Sequence, residues 1–213
     1  MLRVGLTGGI ACGKTTVAVM LRELGLPIIE ADPLVHRLIE PGQPAYAEIV
    51  QAFGREVLAP DGHVDRVRLG KLIFDDAQRR ERLNGIVHPR VIEEVERQFA
   101  ALESNGAKLA VVEAALLVEA GYHHQLDRLV VVWCRPEQQL ERLLARGLTR
   151  QQAEQRIAAQ LPVDQKRRVA DYVVDCSGAL DETRRQVELV VASLEREATV
   201  RAGQRALGRQ NAS

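Results

Sequence analysis

The stretch Leu2-Arg3-Val4-Gly5-Leu6-Thr7-Gly8-Gly9-Ile10-Ala11-Cys12-Gly13-Lys14-Thr15-Thr16 decides the architecture. Residues 2–6 form a short apolar run bounded by turn formers and predict a buried strand, and residues 14–24 then place Val17, Leu21 and Leu24 at helical spacing. Between the two, residues 8–15 match the pattern Gly-x-x-x-x-Gly-Lys-Ser/Thr at every position. The glycines let the backbone bend until successive N–H groups point at a phosphate. Lys14 then reaches the β- and γ-phosphates, and the Thr15 hydroxyl is suited to ligate Mg²⁺, all at the positive end of a helix dipole. Strand, glycine loop and helix in this order predict a nucleotide site. The expected phosphate-binding residues are Gly8, Gly9, Ala11, Cys12, Gly13, Lys14, Thr15 and Thr16. The alternative is a structural glycine turn that happens to precede Lys-Thr; with only four lysines in the chain, a full match directly after the first strand is a rare accident.

Outward from this loop, Gly25 ends the helix and Pro27-Ile28-Ile29 reads as a second short strand. Glu30-Ala31-Asp32-Pro33 follows, at the open end of the sheet where ligands bind. Asp32 is the candidate catalytic acid, able to orient or deprotonate an attacking hydroxyl, or to ligate the metal through water. Its competing role is that of an N-cap before Pro33. Residues 33–104 contain helical stretches broken at Pro41-Gly42, Pro60-Asp61-Gly62 and His88-Pro89, and are expected to be a helical insertion. Strand-like runs resume at 108–112, 128–134 and 172–175 with helices between or after them, which implies crossovers and a parallel sheet. The expected fold is therefore α/β: a P-loop kinase-like parallel sheet flanked by helices, with a helical insertion and a helical lid. The core comprises 1–32 and 105–200, including 136–168, read as a weakly packed helical pair that suits a moving lid or, equally, an ordinary solvated hairpin. In the last helix Val187, Val190, Val191 and Leu194 are expected to pack inward, whereas 201–213, with three Arg and no acid, is expected to be disordered.

The third strand ends in Glu113-Ala114-Ala115 with no Asp in the run 108–112, which disfavours a motor or switch ATPase and favours a small-molecule kinase. Arg142 and Arg146 lie four apart on one helix face and suit a phosphate clamp, against the plainer pairing with Glu141 or Glu154. His88 reads first as a helix-start residue, and His123-His124 as a loop pair lacking a third metal ligand. Cys12 lies where a helix N-terminus would lower its pKa and leave it oxidisable.

Composition removes other classes. The 213 residues carry 29 basic and 29 acidic side chains, so no bulk charge favours nucleic acid or a membrane surface, and any anion must be captured locally. No apolar run approaches a membrane span. Three cysteines, Cys12, Cys134 and Cys176, form no disulfide framework and no zinc spacing, and the N-terminus shows no signal-peptide pattern. The expected compartment is the cytoplasm.

Several further runs appear together: Val4-Gly5-Leu6-Thr7-Gly8-Gly9-Ile10, Cys12-Gly13-Lys14-Thr15-Thr16-Val17-Ala18, Glu30-Ala31-Asp32, Glu40-Pro41-Gly42, His88-Pro89, Leu116-Leu117-Val118-Glu119, Ala159-Gln160 and Ala170-Asp171-Tyr172-Val173-Val174-Asp175. In content, order and spacing they resemble the dephospho-coenzyme A kinase family over roughly residues 2–195. The resemblance implies ATP-dependent phosphorylation of the ribose 3′-hydroxyl of dephospho-coenzyme A, the final step of coenzyme A synthesis. It also implies that the insertion at 33–104 binds the acceptor, that Asp32 is the base, that Arg142 is the lid cation on the transferring phosphoryl group, and that His88 and Glu119 lie near the acceptor. The chain departs from the family pattern at Ala11-Cys12, often Gly-Ser; at Glu30, often Asp; at Ala115, often Pro; and at Cys176, often Asn near the adenine. None of these removes a phosphate ligand. A kinase for another hydroxyl, such as a nucleoside or a shikimate-like acceptor, and a nucleotide-binding module without transfer chemistry are the competing readings.

Overall fold

The computed structural model describes residues 1–74 and 76–210. Along the chain it forms β1 (Leu2–Gly8), α1 (Lys14–Glu23), β2 (Ile28–Glu30), α2 (Ala31–Leu38), α3 (Pro44–Phe53), α4 (Arg66–Phe74), α5 (Ala77–Ser104), β3 (Leu109–Glu113), β4 (Arg128–Trp133), α6 (Pro136–Ala145), α7 (Arg150–Ala158), α8 (Val163–Arg168), β5 (Tyr172–Asp175) and α9 (Leu180–Gln210). Single 3₁₀ turns lie at Arg55–Val57 and Tyr122–Gln125. Two compact units result, one of Met1–Ile29 with Phe99–Ser213 and one of Glu30–Gln98.

The five strands form one sheet in the order β2-β3-β1-β4-β5. Strand β1 pairs in parallel with β3 and with β4, and β4 with β5. Strands covered on both faces read as near-continuous apolar runs, and every residue of β3 is accordingly buried. Val17, Ala18 and Leu21 of α1 and Val187, Val190, Val191 and Leu194 of α9 share one core with Val4, Leu6, Val111, Val130, Val132 and Val174 of the sheet. The expected inward face of the last helix is the observed one. The Glu30–Gln98 unit has its own core, built from Ile39, Ala45, Ile49, Phe53, Val57, Leu69 and Val87.

Three expectations need correction. His88-Pro89 does not break a helix: α5 runs through Pro89 without interruption. A proline inside a helix removes one backbone donor and crowds the carbonyl four residues earlier. Here that residue is Gly85, with no side chain to add to the crowding, and the Arg90 guanidinium donates to the neighbouring Ile86 carbonyl at 2.7 Å. Residues 136–168 are three helices, not a helical pair, because Leu161-Pro162 separates α7 from α8. Helix α8 is no loose cover either, since Val163 belongs to the main core and Lys166 is fully buried. Finally, α9 continues as helix through 201–210, where composition alone predicts disorder; residues 211–213 of that expected tail lie outside the described residues. Among the described residues no helix is long and apolar enough to cross a membrane.

Candidate active site

The loop between β1 and α1 has the curvature that its glycines predict. Gly13 begins α1 with φ 106°, a left-handed conformation that a Cβ would strain. Ala11 adopts φ 60° and is the one non-glycine residue with positive φ among the described residues. For an L-residue this conformation costs about 1–2 kcal/mol, so the surrounding contacts must impose it. No side chain caps α1 and no acidic residue occupies its first turn. That end of the helix is electropositive and suited to an anion.

The Lys14 ammonium meets the Glu113 carboxylate at 2.6 Å, and Arg22 approaches the other carboxylate oxygen at 3.8 Å. Glu113 closes β3, the strand beside β1, with 7% of its surface exposed. The carboxylate that the strand seemed to lack is therefore present, one methylene longer than Asp and one residue beyond the expected run. The sequence signal for it was an acid at the end of a buried strand. What no sequence pattern supplied was the adjacency of residues 14 and 113.

A second buried cation was not anticipated. The Lys166 ammonium lies 2.8 Å from both the Glu119 carboxylate and the Ala115 carbonyl, and 3.4 Å from the Gly8 carbonyl. A fully buried ammonium requires such partners. Glu119, expected near the acceptor, also accepts from the Leu161 N–H at 3.0 Å. Its carboxylate thus joins α8 to the segment after β3.

Arg142 reaches the loop from α6. One guanidinium nitrogen donates to the Ala11 carbonyl at 3.1 Å and the other to the Cys176 carbonyl at 2.7 Å. A cavity of about 250 Å³ opens beside this bridge, lined by Gly13, Thr16, Arg146, Cys176 and Thr183 among others. Arg146 ends α6 and shares this cavity with Arg142, while Glu154, its suggested partner, pairs with Arg150 instead.

The three cysteines are buried free thiols. Cys12 and Cys134 share an S–H···S contact at 3.3 Å. That hydrogen bond, with burial, pushes the Cys12 thiol far up, whereas Cys134 is held below its ordinary value by the same bond and by Arg142. The expectation of a reactive, low-pKa Cys12 is therefore corrected: the helix dipole is outweighed by a neighbouring sulfur and exclusion from water. Burial pushes the Cys176 thiol up to about 11.

Asp32 and His88 belong to the Glu30–Gln98 unit. Asp32 lies in the first turn of α2, whose N-cap is Glu30. The capping role suggested for Asp32 is not the one it has, although an acid in the first turn still favours the helix dipole. His88 lies inside α5, half-buried, and burial lowers its pKa. Among the described residues no group of three or more His, Cys, Asp or Glu side chains could hold a metal ion.

A parallel sheet with a glycine loop after its central strand, a loop lysine and a carboxylate on the adjacent strand end define a P-loop kinase. The chain belongs to the dephospho-CoA kinase family, whose model matches residues 2–182. It is 48% identical to the dephospho-CoA kinase of Symbiobacterium thermophilum over 186 residues, covering 87% of this chain and 78% of that protein. A crystal structure from Thermus thermophilus, 32% identical, superposes with a TM-score of 0.78 over 91% of this chain and 97% of its own. The dephospho-CoA kinase of Campylobacter jejuni, 23% identical, shares the fold with a TM-score of 0.69 over 92% and 98% of the respective chains.

Proposed function

We propose that the chain transfers the γ-phosphoryl group of ATP to the ribose 3′-hydroxyl of dephospho-coenzyme A, giving coenzyme A and ADP, with Lys14, Asp32 and Arg142 as the residues that act on the reacting groups. The observation that carries this reading is a complete phosphate loop within a family match spanning residues 2–182. The backbone N–H groups of 11–16 and the Lys14 ammonium hold the phosphates, and Lys14 exchanges part of its contact with Glu113 for phosphate oxygens. Asp32, just past the C-terminal end of β2, accepts the proton of the attacking hydroxyl or fixes its orientation. The base of ATP occupies the cavity beside Gly13, with Cys176 in the place where the family often has Asn.

The donor set fits Mg²⁺, which keeps several waters and takes one or two protein oxygens together with substrate phosphates. The Thr15 hydroxyl and the Glu113 carboxylate would hold it, with Asp32 reached through water. Bound there, the ion neutralises charge on the phosphate oxygens. Of the expected lid, 146–159 is the part that closes over substrates, since α8 is fixed in the core and Gln160 is tied to the phosphate loop. His88 contributes to acceptor binding as a neutral imidazole, and Glu119 indirectly through Lys166. Three buried free thiols fit a reducing compartment, the cytoplasm.

An ADP-release assay tests the reading. ADP formed only when ATP and dephospho-coenzyme A are both present is the expected outcome. ADP formed with a nucleoside or a shikimate-like acceptor but not with dephospho-coenzyme A overturns it, as does nucleotide binding without turnover. In the same assay Arg142→Lys is expected to lose about tenfold or more in kcat/KM, because a point charge replaces a planar fork that bridges two carbonyls. Wild-type kinetics for Arg142→Lys would remove this residue from the machinery.

A further inference from the structure

The Ile10 peptide groups in the phosphate loop are both held by side chains from the 136–160 segment. The Gln160 side-chain carbonyl accepts from the Ile10 N–H at 2.9 Å. The Gln139 amide donates to the Ile10 carbonyl at 2.7 Å, from a side chain only 4% exposed. One residue further on, the Ala11 carbonyl takes its hydrogen bond from Arg142. These contacts surround the left-handed Ala11, the position where the backbone is strained. The fit at the base of the loop is equally close. A Cβ on Gly9 would stand 2.5 Å from the Gln139 amide nitrogen and 3.0 Å from the Cys12 sulfur, so the absence of a side chain there is what admits the glutamine.

We propose that Gln139 and Gln160 are positioning residues that clamp Ile10 and thereby hold Ala11 in the left-handed conformation the phosphate cradle needs. A glycine at position 11 would enter that conformation without penalty. In this chain alanine resists it, and the two glutamines impose it before nucleotide arrives. The cradle is preorganised, so ATP does not have to supply the ordering free energy from its own contacts. Because Gln139 lies on α6 and Gln160 just beyond α7, the clamp also ties the phosphate loop to the segment that closes over it. The inference rests on reading the loop as the ATP site, and on no particular acceptor.

The test uses the full chain and Mg²⁺-ATP alone, titrated calorimetrically. Gln160 is only partly buried, so Gln160→Leu should fold, and thermal unfolding verifies this. Its Kd for ATP is expected to rise about tenfold, the factor produced by losing one hydrogen bond to a partly buried peptide group. In turnover assays KM for ATP rises with it, and KM for dephospho-coenzyme A does not. Gln139→Met, nearly isosteric, should act in the same direction. The deciding variant is Gln160→Leu with Ala11→Gly. Glycine adopts positive φ freely, so this double variant should recover most of the affinity lost in Gln160→Leu. A glutamine that merely packed α6 and α7 together would not be rescued by a change at position 11. Unchanged ATP affinity in Gln160→Leu, or absence of rescue by Ala11→Gly, overturns the clamp. A wild-type chain that binds ATP and shows the rescue but does not phosphorylate dephospho-coenzyme A would overturn the acceptor assignment and leave the clamp standing.

Discussion

Lys14→Ala is expected to lower turnover by roughly 10²–10³, the scale of removing one preorganised electrostatic donor from a transition state in which charge develops. The effect is differential. A cation that met ground state and transition state equally would change KM alone, whereas the charge on the transferring group redistributes as its bond to ADP breaks. The pair with Glu113 complicates the variant, because truncating the lysine leaves a carboxylate only 9% exposed with Arg22 at 3.8 Å as its remaining cation of this cluster. Removing one partner of a buried pair destabilises strongly. Lys14→Arg separates the effects. It keeps the positive charge beside Glu113, and with it the unfolding temperature, yet should still lose most of the turnover, because the guanidinium fork cannot place a compact charge at the same point. Normal turnover at saturating substrates in either variant would reduce the loop to a structural turn.

Asp32→Asn should retain ATP affinity and lose transfer by roughly 10²–10⁴, the range over which a positioned general base contributes. The change is nearly isosteric and removes only the charge and the proton-accepting oxygen. Because Asp32 sits inside the first turn of α2 and does not serve as the cap, the substitution leaves the N-cap in place. Measured at saturating Mg²⁺-ATP and dephospho-coenzyme A, wild-type turnover in Asp32→Asn would remove this residue from the machinery.

The legible parts of this fold were those that a local pattern encodes. Strand β1, its loop and α1 follow from an apolar run, a glycine motif and helical spacing, and β3, β4 and β5 lie within a residue of the runs that announced them. Pairings across long separations had no such signature. Glu113 meets Lys14 only because β3 lies beside β1, and Lys166 reads as one more base in Lys166-Arg167-Arg168 until α8 is seen to bury it. Gln139 and Gln160 carry no charge and fit no periodicity, so their hold on Ile10 is visible only in three dimensions. Pro89 misleads for the opposite reason: its local message, a helix break, is overridden, and α5 runs through it from Ala77 to Ser104.

The place of β1 in the sheet has a consequence for how the molecule is made. It is synthesised before its two neighbours, which pair with it at Leu2↔Leu109 and Val4↔Arg128, so about a hundred further residues must be added before either edge is satisfied. Such distant pairings are entropically slow to close and leave apolar strand edges exposed meanwhile. The Glu30–Gln98 unit, whose core residues all lie within its own span, can collapse during that interval. The phosphate loop, although encoded wholly within residues 8–15, is thus completed only after β3 and β4 have been added. Nascent chains halted before β4 should resist binding to immobilised ATP even though every residue of the motif has already been synthesised.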